Sequence, residues 1–389
     1  MKKLIAISVV FALVAGVAFA VEVGGTVIGT VNVLESTTAD GSTVNGSGGL
    51  NRVRIDGSGE AADGTFGGYI RAAEFTGNVW WKPMDQLKLL IGGNGGDGFI
   101  GKEGVTGWMF YQTAYDTGIV VPGNVWGWGP WYGLVIGQDS EGDPIFLGNS
   151  GSRNMYGQGI TTRSVFYAGG KDGGEDLWLF ITPADIVSIN IVLPFISEKD
   201  KEVADIFKKT VAQLDFHLDF GNIALTYQGD LMEGYAQPKL YLYYGGSFDA
   251  LSIDFGFSYQ LANEDSTANP LGVGLGVKYA ADAFGVKFRT VATLAGEDKA
   301  TRLLADVQPY FGLGDNLTAF VSVGLGMTMP DSGDSIMGWH FNPYLQVGEE
   351  WGAKFLFGIK VWSAGDLVPD AKGNSYINWA VPIAMIVSF

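Results

Sequence analysis

The stretch "AQLDFHLDFG", residues 212–221, alternates without a slip. Ala212, Leu214, Phe216, Leu218 and Phe220 are apolar, and Gln213, Asp215, His217 and Asp219 lie between them. Successive side chains of a β-strand point to opposite faces, so the stretch reads as a ribbon with one oily side and one side carrying Asp-His-Asp. What surrounds it depends on how often the pattern recurs.

It recurs for over two hundred residues. "LSIDFGFSYQ" (251–260) sets Leu251, Ile253, Phe255, Phe257 and Tyr259 against Ser252, Asp254, Gly256, Ser258 and Gln260. "LGVGLGVKY" (271–279) separates its aliphatic residues from Gly272, Gly274, Gly276 and Lys278, and "FGVKFRT" (284–290) sets Phe284, Val286 and Phe288 against Lys287 and Arg289. "WHFNPYLQV" (339–347) sets Trp339, Phe341, Leu345 and Val347 against His340, Asn342, Tyr344 and Gln346. Further strands are expected near 22–34, 50–58, 65–72, 77–83, 86–93, 175–181, 186–195 and 353–362. Tight connections such as "FGN" (220–222) and "AADA" (280–283) take turns with longer polar ones such as "ANEDSTANP" (262–270). Short turns on one rim and long loops on the other predict an all-β, antiparallel up-and-down transmembrane barrel of about 18 strands, within a range of roughly 16–20.

Composition agrees. The chain is 47% hydrophobic with 59 glycines, yet carries a net charge of −17 and no cysteine. Such acidity makes the chain a poor candidate for a nucleic-acid partner, and the missing thiols exclude disulfides and thiolate metal sites. After the first twenty residues no apolar run reaches the ~18 residues of a membrane helix. Alternation dilutes hydropathy while leaving one complete face for lipid, and closing the sheet removes edges whose unpaired backbone groups would cost several kcal/mol each in lipid.

The chain opens with Lys2 and Lys3, an apolar run from Leu4 to Val14 and Ala18-Phe19-Ala20. This is the pattern of an export signal covering 1–20, cleaved after Ala20, which leaves 21–389 as a single barrel domain. "SEKDKEVADIFKK" (197–209) places Val203, Ile206 and Phe207, with Val211 just beyond, at helical spacing behind Ser197, predicting a short amphipathic helix in an external loop or folded into the mouth.

At the C-terminus, "WAVPIAMIVSF" carries Trp379, Val381, Ile383, Met385, Val387 and Phe389 on one face. This resembles the C-terminal signature of bacterial outer-membrane barrels, which the barrel assembly machinery reads. "LNRVRIDGSGEAADGTFGGYIRA" (50–72) followed by "GNVWWKPMDQLKLLIGG" (77–93) is similar in pattern to the early strands of general porins. The resemblance implies an outer-membrane diffusion channel for small hydrophilic solutes, often a homotrimer, with residues 94–160 as an inward-folded constriction loop. The acidic signature usual in that loop is absent.

Several motifs invite a chemical reading. On one strand, same-face neighbours are ~7 Å apart, so Asp215, His217 and Asp219 cannot form a direct relay without adjacent strands; they are read as lining a watery lumen. "GNGGDG" (93–98) lacks the following helix of a dinucleotide site, and "DSEGDP" (139–144) has Pro144 where a calcium loop needs glycine. Trp126, Trp128, Trp131 and Tyr132 fit either interfacial and loop packing or a stacking surface for sugars.

Asp254, Lys278, Lys287, Arg289, Lys354 and Lys360 are expected to line the lumen. If the segment from Asp97 to Asp116 folds inside, Asp97, Glu103 and Asp116 oppose Arg52, Arg54 and Arg71 across the narrowest point. That field favours small polar solutes; the alternative is that these arginines pair with carboxylates to fasten the wall. The excess of acid favours cations if it reaches the lumen. The resulting expectation is a passive channel with no cofactor, metal or chemical step. Other readings are a plugged surface barrel acting as an adhesin or structural protein, a sugar-selective channel, and an outer-membrane enzyme.

Overall fold

The computed structural model describes residues 19–36, 45–71, 76–92, 135–138, 144–146, 176–194, 210–228, 239–261, 271–294, 301–329, 331–348, 353–363 and 377–388. Every regular element among them is a β-strand. β1 (Phe19–Ser36), β2 (Asn45–Ala61), β3 (Phe66–Arg71), β4 (Thr76–Met84) and β5 (Leu87–Gly92) precede a separate small hairpin of β6 (Val135–Gln138) and β7 (Pro144–Phe146). Next come β8 (Asp176–Ala184), β9 (Val187–Pro194), β10 (Val211–Leu218), β11 (Gly221–Gln228), β12 (Lys239–Phe248) and β13 (Leu251–Gln260). The last are β14 (Leu271–Ala280), β15 (Phe284–Leu294), β16 (Thr301–Gly314), β17 (Leu317–Met329), β18 (Ile336–Gly348), β19 (Ala353–Gly358), β20 (Lys360–Ser363) and β21 (Ile377–Ser388). Most of the expected leader, the helix expected at 197–209 and nearly all of the segment 94–160 lie outside the described residues. β1 starts at Phe19, two residues before the expected mature N-terminus.

Apart from the β6–β7 hairpin, each strand pairs antiparallel with its sequence neighbours, β5 with β8 across the long intervening segment. β19 and β20 share one position between β18 and β21, so the nineteen segments make eighteen strands. β1 pairs with both β2 and β21, from Thr26↔Ser388 to Ser36↔Trp379, and the ladder returns on itself. No sheet edge is left between the first and last strands.

The faces are inverted relative to a water-soluble protein. Gln213, Asp215, Thr226, Asp254, Gln308, Ser322 and Asn342 are buried, whereas Leu225, Leu240, Phe341, Leu345, Val347, Phe355 and Met385 are exposed on the alternate register. An apolar surface this extensive would be insoluble in water and is stable in lipid, where the polar side faces inward. Leu214 and Phe216 belong to the outer set, opposite Leu225 and Ile223. Trp379, Val381, Ile383, Met385 and Val387 also share it, because the alternate residues Ala380, Ala384 and Ile386 are buried. Phe389 lies outside the described residues.

Outward aromatics gather beside the short turns. Phe66 stacks on Trp81 at 6.3 Å, Phe284 meets Phe311 at 5.1 Å, and Phe220 and Phe248 are exposed nearby. At the long-loop end Tyr259, Trp339 and Trp379 occupy outer positions. These are two belts of aromatic rings bounding the apolar band, phenylalanine-rich on the short-turn side and Trp/Tyr on the other.

Candidate functional site

The inner wall is the candidate site, and two devices build it. Tyr310, Phe320 and Tyr344 are register partners on β16, β17 and β18. Their rings stack at 5.6 Å and 4.7 Å, the second pair only 5° from parallel. Glycines terminate the band: Gly285 opposes Tyr310 and Gly358 opposes Tyr344, and a Cβ on either would collide with the tyrosine. The Gln308 amide donates to the Tyr344 hydroxyl at 3.1 Å.

Across the lumen Trp80 lies over Gly67 in the same way. The Lys88 ammonium sits 4.6 Å from the Trp80 ring centroid, where the ring quadrupole attracts it. Trp178 Nε1 donates to the Gly92 carbonyl at 2.9 Å and packs with Leu90, Val192 and Val211. Gly92 has φ 118°, a region closed to L side chains.

Between these bands lies a polar cluster spanning β9, β10 and β11. Asn190 Nδ2 donates to Asp215 Oδ2 at 2.7 Å, and Gln213 Nε2 donates to Thr226 Oγ1 at 2.8 Å. The hydroxyl of Ser188 hydrogen-bonds His217 Nε2, and His217 Nδ1 lies 3.3 Å from Asn222 Oδ1. Register explains the meeting, since Asp215 opposes Ser188 and His217 opposes Asn222.

Asp215 and His217 stand on the face opposite Leu214 and Phe216, and the adjacent strands supply partners that the sequence stretch alone could not. Asp219 does not line the wall. β10 ends at Leu218, and Asp219 with Phe220 forms an exposed turn into Gly221, whose φ of 140° completes the reversal. Asp254, Lys278 and Lys287 occupy inner positions, as does Lys354 beside Gly348. Arg289 and Lys360 fall on the same register set.

Of the constriction candidates, Arg54 opposes Thr26, Arg52 opposes Ile28 beside a bulge, and Arg71 opposes Asp56. Asp56 Oδ1 accepts from the Tyr69 hydroxyl at 2.7 Å. Asp97, Glu103, Asp116, Trp126, Trp128, Trp131 and Tyr132 lie outside the described residues.

Much of the acid is not on the wall at all. Asp63, Asp85, Asp185, Asp219, Asp249, Asp282 and Asp315 sit in seven short turns at one rim, all exposed. Aspartate suits such turns by bonding its own backbone and tolerating positive φ, as Asp249 does at 50°. In the first, Asp63 Oδ1 accepts from the Thr65 hydroxyl at 2.7 Å and the Thr65 amide at 3.1 Å, which holds its carboxyl below the ordinary value.

Sequence reasoning missed Ser188, Asn190 and Asn222. Their only signal was a polar residue at alternate positions of "VSINIVLP" and at the head of "GNIALTYQ".

Among solved structures, an anion-selective porin from Comamonas acidovorans superposes with a TM-score of 0.51 at 9% identity, covering 95% of this chain and 100% of that one. The chain has a porin-type fold. OccAB4 of Acinetobacter baumannii scores 0.49 at 8% identity over 96% of this chain and 98% of that one. The DcaP channel of Acinetobacter baumannii scores 0.47 at 11% identity, with coverages of 96% and 98%. No protein-family model and no curated protein matches the sequence. The porin-type barrel here shares its architecture with the Comamonas porin at 9% sequence identity.

Proposed function

We propose that this barrel is a passive diffusion channel of a bacterial outer membrane for small hydrophilic solutes. The inverted sheet carries the reading: eighteen strands in a ring, with polar residues such as Asp215, Gln308 and Asn342 buried between apolar patches inside and an apolar band outside, make a wall that fits lipid on its outer side. Permeation through such a wall needs orientation and electrostatics rather than bond making. Mature protein inserted into planar bilayers is expected to give discrete conductance steps, and liposomes containing it to swell in sugars up to a size limit. A folded barrel that yields neither overturns the channel.

The charges favour an asymmetric pore. The aspartate turns form an acidic mouth on the short-turn side, the periplasmic side in a barrel inserted as porins are. Arg52, Arg54, Arg71, Lys278, Lys287 and Arg289 occupy inner register positions farther along the wall. Cations are drawn to one mouth and anions to the lumen. Reversal potentials in a salt gradient measure which dominates.

A second reading, a filled barrel whose surface loops act as an adhesin or structural element, is favoured by one observation. Asp215, Gln308, Ser322 and Asn342 each have 0% exposure. Liposome swelling separates the two, since a filled barrel admits no sugar. Under either reading the expected surroundings are outer-membrane lipid and assembly machinery that reads the last strand, and a homotrimer is the expected assembly for the channel.

A further inference from the structure

We propose a second activity on this wall: Ser188 is a nucleophile, activated by His217 and oriented through Asn222, that accepts the acyl group of small water-soluble esters. Three adjacent strands bring the groups together. Ser188 is the second residue of β9, His217 the last but one of β10, and Asn222 the second of β11. With Asn222 Oδ1 facing His217 Nδ1 at 3.3 Å, the tautomer that satisfies this contact is the one protonated on Nδ1, since an amide oxygen accepts. That tautomer leaves the Nε2 lone pair for the Ser188 hydroxyl, with which it is hydrogen-bonded. Nucleophile, base and orienting group are therefore in the order, and on the nitrogens, that acyl transfer uses.

Access agrees with chemistry. Ser188, His217 and Asn222 are all half-buried, while Asn190 and Asp215 behind them are buried. On the other flank β8 is bulged, with Thr182 and Pro183 opposing the single Ser188. A bulge beside a reactive group re-aims a side chain and opens the ladder. Val187 and Ile189 alternate with Ser188, so their side chains take the lipid face and Ser188 takes the lumen. On that face it meets solutes in the lumen, and the substrate class is a short-chain acyl ester of a small hydrophilic molecule.

In the forward step Ser188 Oγ attacks the ester carbonyl carbon as its proton passes to His217 Nε2. The tetrahedral adduct collapses, the C–O bond to the alcohol breaks, and His217 returns the proton to the departing alkoxide. Water then attacks the acyl-serine, giving its proton to His217. The acid is released as Ser188 Oγ takes that proton back.

The wall contains its own control. Ser252 is the second residue of β13, the same place in its hairpin, but its hydroxyl lies 3.0 Å from the Ser247 hydroxyl instead of an imidazole. The test uses the full mature barrel refolded in detergent, with the β-sheet circular dichroism of each preparation reporting folding and its ion conductance recorded separately. p-Nitrophenyl acetate is expected to release a burst of about one equivalent of nitrophenol per chain and to leave an acetyl group on the peptide containing Ser188. His217→Gln is expected to slow the burst by about 100-fold. Because the chain has no cysteine, Ser188→Cys and Ser252→Cys provide single thiols. Near pH 6.5 the first should react with iodoacetamide at least ~10-fold faster than the second, an advantage abolished by His217→Gln. A folded barrel without acetylated Ser188, in which the two thiols react alike, overturns the proposal and leaves the trio as a fastening of three strands. Failure to conduct would instead count against the channel.

Discussion

Gly285 and Tyr310 are register partners on β15 and β16, and the Tyr310 ring occupies the space that a Cβ on Gly285 would need. The ring therefore lies over its neighbour's backbone, and it stacks on Phe320 at 5.6 Å. Glycine here is a packing requirement rather than a flexible joint.

Gly285→Val should expel the Tyr310 ring and break its stack with Phe320. Forcing a side chain into a filled site costs typically about 1–3 kcal/mol, read as a lowered urea midpoint for the detergent-folded barrel. Tyr310→Ala in the Gly285→Val background should recover part of the loss.

Leu225 faces out near the middle of β11, 47% exposed and opposite Leu242. Leu225→Arg is expected to destabilise the barrel in phospholipid vesicles by about 2–4 kcal/mol, the cost of a cation at mid-bilayer. The neighbouring position has the opposite sensitivity: Thr226→Arg should alter conductance, because Thr226 faces in. Equal penalties at both positions would mean that the faces are misassigned.

The aspartate turns make the two mouths electrically unequal. Current should rectify at about 0.1 M salt, where the screening length is ~10 Å, and become nearly symmetric at 1 M, where it is ~3 Å. Asp185→Asn combined with Asp219→Asn, Asp249→Asn and Asp282→Asn should remove most of the low-salt asymmetry.

Asp63 gives one pH dependence of known sign. Hydrogen bonds from Thr65 lower its carboxyl pKa in the folded state, so the stabilisation is present above the unfolded value of about 3.9 and is lost as pH falls through the lower folded one. Thr65→Val should reduce urea resistance at pH 7, and the difference from the unsubstituted protein should close only in strongly acidic solution. A difference that grew on acidification would contradict the assignment.

The strands were readable at residue precision where alternation is clean. "LSIDFGFSYQ" is β13 end to end, and the expected strand at 271–279 differs from β14 by one residue. Asp219 shows where the pattern misled, because "DF" continues the alternation on paper while the following glycine turns the chain. The broken strand near Ile359 was invisible as well; there the Asn342 side chain donates to the Ile359 carbonyl at 3.0 Å, between β19 and β20.

By itself, then, the order of residues determined which side chains share a face and that the oily face must meet something other than water, because a strand's two-residue period is local. Register between strands is set by turns and by hydrogen bonds to chain far away. Only the assembled sheet therefore decided that Ser188 and Asn222 would reach opposite nitrogens of His217, that Asn190 would reach Asp215, and that a glycine would lie beneath each ring of the wall where it was needed.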